Sequence, residues 1–255
     1  MKNIQVLKPK YRVEECLSEI KECLDIGWTG MGYKTIEFED RWKTYTSLNH
    51  AHFLSSATVG LHLAVKILKE KYNWHDGDEV ITTPFTFVST NHSILYENLK
   101  PCFADIDDSL NLDPQSVKDK INKNTKAIIF VGIGGNTKNL IEIIQIAKNN
   151  NIKVILDAAH MAGSKINGQH VGFDVDVSVF SFQAVKNLPT ADGGMICFNN
   201  AEDDKKAREL AWLGINKDTF SRSNEGSYKW DYSVDQVGYK YHGNSIMAAL
   251  GIVGL

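Results

Sequence analysis

The sequence predicts an α/β protein built on a mostly parallel, seven-stranded sheet flanked by helices. From about residue 50 onward, short apolar runs rich in β-branched residues alternate with amphipathic segments, the pattern of strand–helix units around a parallel sheet. No internal repeat, low-complexity tract or long Pro/Ser linker interrupts the 255 residues. At 43% hydrophobic and 23% charged, the chain has the make-up of an ordinary packed protein.

Taken in order, Val13–Ile26 reads as a helix, followed by a Gly-rich turn at Gly27, Gly30 and Gly32 and a short amphipathic segment through Phe38 and Trp42. Seven strands are expected at His52–Ser55, Glu79–Thr83, Lys100–Asp105, Lys126–Ile133, Lys153–Asp157, Asp176–Phe182 and Gly194–Phe198. Between them, Thr58–Lys71, Phe87–Glu97, Pro114–Ile121 and Leu140–Asn149 carry apolar residues three and four apart, as helices packed on a sheet do. Asp113 is placed to cap the helix that opens on Pro114, since Asp is a favoured N-cap and Pro a favoured first helical residue. Ser245–Leu255 reads as a last helix.

Charge excludes some partners. With 28 Lys+Arg against 31 Asp+Glu, a net charge of −3, there is no basic footprint for nucleic acid or an anionic membrane surface. The longest apolar stretch, Ala127–Gly135, is far below the roughly 20 residues of a membrane span. Met1–Lys10 has no apolar signal core, so a cytoplasmic location is expected. Cys16, Cys23, Cys102 and Cys197 are scattered without a CxxC pair and read as buried thiols.

Three motifs imitate chemistry and are set aside. Gly132-Ile133-Gly134-Gly135-Asn136-Thr137 follows a strand and precedes a helix, but Thr137 stands where a dinucleotide fingerprint needs Gly or Ala. A tight turn is the plainer account. Asp105, Asp107, Ser109, Asn111 and Asp113 alternate like calcium ligands, yet Leu110 and Ser116 occupy the positions that need Gly and Glu. His50 and His52 lack a third ligand and read as a solvated strand edge. No metal site is assigned.

Four other pieces fall just past carboxyl ends of predicted strands, where open parallel sheets place ligands. Ser55-Ser56-Ala57-Thr58 leads into a helix, and its hydroxyls, backbone N–H groups and helix dipole suit a phosphate. Pro84-Phe85-Thr86-Phe87 offers an aromatic plate. Asp157, in Asp157-Ala158-Ala159-His160, ends an apolar strand and needs a cationic or hydrogen-bonding partner, which a protonated pyridine nitrogen would supply. Ser181-Phe182-Gln183-Ala184-Val185-Lys186-Asn187 adds a hydroxyl and a lysine, the latter able to lose its proton by desolvation and act as an amine nucleophile. Each has a bland reading alone, as helix cap, core aromatic or surface charge. Together they are the groups a pyridoxal 5'-phosphate (PLP) site requires.

The ordered motifs resemble those of the DegT/DnrJ/EryC1/StrS family, the nucleotide-sugar aminotransferases of PLP fold type I. The resemblance rests on Gly27-Trp28-Thr29-Gly30, Ser56-Ala57-Thr58 with Leu61-His62-Leu63-Ala64, Gly77-Asp78-Glu79-Val80-Ile81 and Phe85-Thr86-Phe87. It continues through Asp157-Ala158-Ala159-His160, Ser181 with Lys186-Asn187, Gly193-Gly194-Met195 and Gly238-Tyr239-Lys240-Tyr241. It implies that Lys186 carries the cofactor as an internal aldimine and that Asp157 pairs with the pyridine nitrogen. His160 would lie near the ring's phenolic oxygen, Phe87 would stack on the ring, and Ser56, Ala57, Thr58 and Ser181 would bind phosphate. The Gly238–Tyr241 segment would cross a homodimer interface, so that Lys240 faces the partner's phosphate.

The implied reaction moves an amino group, from glutamate in most members, to a keto group of a nucleotide-linked deoxysugar. A branch that uses the cofactor for sugar dehydration lacks the lysine, so Lys186 argues against it. The rival readings are a non-catalytic cofactor or nucleotide-sugar binder and a truncated homologue. Two departures from the family pattern bear on substrate: Gly132-Ile133-Gly134-Gly135 replaces a usual His-x-x-Gly, and His242 follows Tyr241 where Arg is common. The resemblance further divides the chain into an N-terminal helical arm, 1–48, and a PLP-binding large domain, 49–255. Family members continue past the Ala248-Ala249-Leu250-Gly251 helix into a small C-terminal domain, and without it this chain is not expected to turn over sugar unaided.

Overall fold

A computed structural model describes residues 8–216 and 232–255. The helices are α1 (Val13–Ile26), α2 (Tyr33–Thr46), α3 (Ala57–Lys71), α4 (Val88–Tyr96), α5 (Pro114–Lys120), α6 (Leu140–Asn149), α7 (Ala201–Ala211) and α8 (Ser245–Gly254). The strands are β1 (His50–Leu54), β2 (Glu79–Thr82), β3 (Lys100–Phe103), β4 (Thr125–Val131), β5 (Lys153–Asp157), β6 (Lys165–Ile166), β7 (Gln169–His170), β8 (Val177–Ser181) and β9 (Gly194–Phe198).

Seven strands form one sheet in the order β1-β9-β8-β5-β4-β2-β3, and β6 with β7 makes a separate two-stranded ribbon. The pairs β8/β5, β5/β4, β4/β2 and β2/β3 are parallel, while β9 runs antiparallel to both its neighbours. All seven expected strands are present, two with the expected ends and five with ends shifted by at most two residues. The ribbon and α7 were not anticipated: the strands of the ribbon have two residues each, too few to show a period.

Continuous apolar runs explain the central strands. In β4, β8 and β9 nearly every side chain is buried, because helices cover both faces of a parallel sheet. On one face Leu61, Ala64, Val65 and Leu68 of α3 pack with Ile155, Val179 and Ile196. On the other, Phe38 and Trp42 of α2 join Phe53, Phe180 and Phe182. The Trp42 ring lies 4.9 Å from that of Phe180 and 5.2 Å from that of Phe182, centroid to centroid. The first 48 residues thus supply two of the largest fully buried side chains.

Beneath α2 a buried ionic group ties three elements together. Glu39 Oε1 lies 2.9 Å from His52 Nδ1 and accepts the Phe53 N–H at 2.7 Å, while its Oε2 lies 2.9 Å from Arg208 Nη1. His52 is therefore buried and engaged, not part of a solvated edge. Burial alone would raise the Glu39 carboxyl, but Arg208, His52 and the Phe53 N–H outweigh it and hold the group below its ordinary range. Among the cysteines, Cys16, Cys23 and Cys197 are buried thiols, whereas Cys102 is only half-buried.

Asp113 caps α5 as expected, its Oδ1 accepting the Gln115 N–H at 3.0 Å. The glycine motif after β4 is a single 3₁₀ turn at Ile133–Gly135, with Gly134 at φ +60°, not the start of a helix. Of the calcium-like run, Asp107 accepts from Ser109 and Asn139, so it acts as a loop brace.

Candidate active site

At the carboxyl edge of the sheet lies a cavity of about 460 Å³. Its wall includes Ser56, Ala57 and Thr58 after β1, Phe87 after β2, Asp157 and His160 after β5, and Ser181 and Lys186 after β8. Eight of the nine residues singled out in the sequence thus meet in one place, although they come from four separate strand ends. Lys240, expected to face a partner's phosphate, lies outside this cavity. It is exposed, and its Nζ sits 3.4 Å from the centroid of the Trp212 ring.

The cradle forms because Ser56 is the N-cap of α3, accepting the Val59 N–H at 3.4 Å. This leaves the first N–H groups of the helix and the positive end of its dipole directed outward. Gly194 opens β9 and pairs with both Leu54 and Ser181. Any Cβ there would meet the Ala57 nitrogen at 2.5 Å, so only glycine lets the cradle settle against the sheet.

Asp157 is fully buried at the end of β5, with one donor on each oxygen. Thr90 Oγ1 donates to Oδ2 at 2.6 Å, and the Ala159 N–H donates to Oδ1 at 3.1 Å. Burial raises the carboxyl above its ordinary range, and the hydrogen bonds, His160 and Lys186 offset this only in part. A cation brought against Asp157 would lower it again.

Lys186 follows β8 in a short turn and makes no hydrogen bond or ion pair through Nζ with a described residue. Burial lowers its ammonium, with Asp157 opposing. The amine is therefore neutral over a wider pH range than a solvated lysine. His160 is likewise lowered, chiefly by burial and then by Lys186. The Gly134 N–H donates to His160 Nδ1 at 3.2 Å, which leaves the proton of the neutral ring on Nε2. Phe87, the N-cap of α4, is 76% exposed and stands at the mouth as a plate open on one face.

Sequence reasoning missed Thr86, Thr90, Gln183 and Asp192. Thr86, Gln183 and Asp192 line the cavity, and Thr90 is wholly buried behind it. The four-residue spacing of Thr86 and Thr90 at a helix start was the available signal. Among the described residues no cluster of His, Cys, Asp or Glu could hold a metal ion, and no helix is long and apolar enough to cross a membrane.

The residues present fit PLP: a helix-capped anion cradle, an aromatic plate, a buried carboxylate in want of a cation and an unpaired lysine amine. A mostly parallel sheet carrying these at its carboxyl edge is the architecture of fold type I PLP-dependent transferases. The chain belongs to the DegT/DnrJ/EryC1/StrS aminotransferase family, whose model matches residues 10–255. It is 39% identical over 241 residues to the uncharacterized protein MJ1066 of Methanocaldococcus jannaschii, covering 94% of this chain and 61% of that protein. It is 36% identical over 241 residues to the spore coat polysaccharide biosynthesis protein SpsC of Bacillus subtilis, covering 94% and 60%. Among solved structures it resembles Spr1654 of Streptococcus pneumoniae, assigned as a sugar aminotransferase. The PMP form matches with a TM-score of 0.89 at 30% identity, covering 99% of this chain and 67% of that one. The PLP form matches with a TM-score of 0.88. The chain spans about three fifths of the length of the curated relatives it matches.

Proposed function

We propose that this chain is the cofactor-binding part of a PLP-dependent sugar aminotransferase that carries an amino group from a donor, glutamate, to a keto group of a nucleotide-linked deoxysugar. The observation that carries the reading is the meeting of Lys186, Asp157, His160, Phe87 and the Ser56–Thr58 turn around one cavity. Family membership and the likeness to polysaccharide-biosynthesis relatives support it.

When bound, the pyridine ring supplies an electron sink for a carbanion next to the transferred nitrogen. The chain's own residues supply the rest. Ser56, Ala57, Thr58 and Ser181 would hold the cofactor's phosphate with hydroxyls and helix N–H groups, and Phe87 would stack on its ring. Asp157 holds a proton on the pyridine nitrogen. Lys186 would anchor the cofactor and would be the amine that moves a proton at the substrate carbon. His160 offers its Nε2–H to the ring's phenolic oxygen. In the same reading the chain works as a homodimer, Lys240 reaching the partner's phosphate, with residues 1–48 as an arm on a large domain of 49–255.

The test is direct. The purified chain incubated with PLP should turn yellow and bleach on addition of glutamate; a colourless, PLP-indifferent protein would overturn the reading. A protein that takes up colour but never bleaches would be a cofactor binder, not an aminotransferase.

A further inference from the structure

Asp157 does not stand alone behind the cavity. Thr90, with no exposed surface, donates to its Oδ2 at 2.6 Å, and Thr86 Oγ1 lies 2.8 Å from Thr90 Oγ1. Thr86 precedes the N-cap of α4 and Thr90 sits in its first turn, so the chain entering the helix brings the two hydroxyls together. An ionised carboxylate only accepts. Thr90 must therefore spend its single proton on Asp157, and the bond from Thr86 must run toward Thr90. All the donors point one way, from the cavity wall where Thr86 sits to the buried carboxylate. The other oxygen of Asp157 is pinned from a different element by the Ala159 N–H at 3.1 Å. The carboxylate is thus clamped in one plane between α4 and the turn after β5.

We propose that Thr90 is a positioning residue, which with Thr86 behind it orients Asp157 and keeps it ionised, and so sets how firmly Asp157 holds a proton on the pyridine nitrogen. The inference rests on the reading of the cavity as a PLP site. The other charged groups that face Asp157 are His160, from the turn after β5, and Lys186, from the turn after β8. Neither donates a hydrogen bond to it. Burial works against the charge of Asp157, and Thr90 is the only side chain among the described residues whose hydrogen bond opposes it.

The experiment uses Thr90→Val, which keeps the shape and removes the hydroxyl, and Thr90→Ser, which restores it. In the cofactor-free chain, the carboxyl of Asp157 is followed through a pH titration by ¹³C NMR, assigned with Asp157→Asn. Loss of a hydrogen bond to a charged group should strengthen proton binding by Asp157 about tenfold or more in Thr90→Val. Thr90→Ser should return it close to wild type. PLP titrated into each variant, read by its absorbance, should bind at least about tenfold more weakly to Thr90→Val, with recovery in Thr90→Ser. A Thr90→Val protein with the wild-type carboxyl titration would overturn the inference. So would a loss in Thr90→Val that Thr90→Ser fails to repair. If wild type itself takes up no PLP, the reading of the site falls while the carboxyl titration still judges the role of Thr90. Should Thr90→Val not fold, the comparison passes to Thr86→Val, whose effect must have the same sign and be smaller.

Discussion

Gly194 at the start of β9 lies so close to Ala57 at the head of α3 that a Cβ on the glycine would come within 2.5 Å of the Ala57 amide nitrogen. The obstacle is backbone, which cannot swing aside as a side chain would. Gly194→Ala must push the head of α3 off the sheet, at an expected cost of about 1–3 kcal/mol. The cradle should suffer with it. Thermal unfolding without cofactor and a PLP titration should both register the change; a variant unaltered in both would show that the turn has room to spare.

Lys186 carries the covalent part of the proposed chemistry. Lys186→Ala should leave a folded protein that binds PLP only reversibly, so that borohydride no longer fixes the cofactor to the chain. It should also abolish the bleaching by glutamate. A Lys186→Ala protein that still transaminates would remove this residue from the mechanism.

The Glu39–Arg208 pair makes a prediction about acid. The folded carboxyl of Glu39 lies below its ordinary value of 4.5, so its stabilisation is fully present above that value and is lost as pH falls through the folded one. Glu39→Gln removes the buried carboxylate shared by Arg208, His52 and the Phe53 N–H, while the half-exposed Arg208 keeps Asp204, and should cost about 1–3 kcal/mol at pH 7. Its stability should also fall less steeply between pH 4.5 and the folded value. Parallel pH slopes for the two proteins in denaturant unfolding would contradict this.

Trp42 measures how far the N-terminal segment belongs to the core. Trp42→Ala removes a wholly buried indole set against Phe180 and Phe182 and should cost about 3–5 kcal/mol. Calorimetry gives the number. A loss below about 1 kcal/mol would mean that α2 is only an appendage.

Much of this was legible from composition and period. The strands of the large sheet are apolar runs long enough to see, and the residues of the cavity announce themselves because charged or hydroxylated side chains interrupt those runs at their ends. Asp157 after Val154-Ile155-Leu156 is the plainest case. For Thr90 the only cue was its spacing from Thr86, which does not show that it faces a buried carboxylate 67 residues away in the chain. His52 was misread for a similar reason: its partners, Glu39 and Arg208, are far from it in the chain and come together only through tertiary packing. Lys240 lies beside Trp212 and outside its own chain's cavity, and its expected counterpart is the phosphate of a second copy.

The register of β1 sets an order of assembly. Among the described residues its only neighbour in the sheet is β9, Leu54 standing opposite Gly194, and beyond the strands Leu54 bridges only to His242. A strand made early must therefore wait, unpaired, until most of the chain exists, because closing so long a loop precedes any return from the contacts it permits. The phosphate cradle hangs from that strand. On the proposed reading, competence to take up cofactor would be among the last properties the folding chain acquires, and PLP would act as a clamp on the finished fold, adding stability by mass action, and not as a template for its early steps.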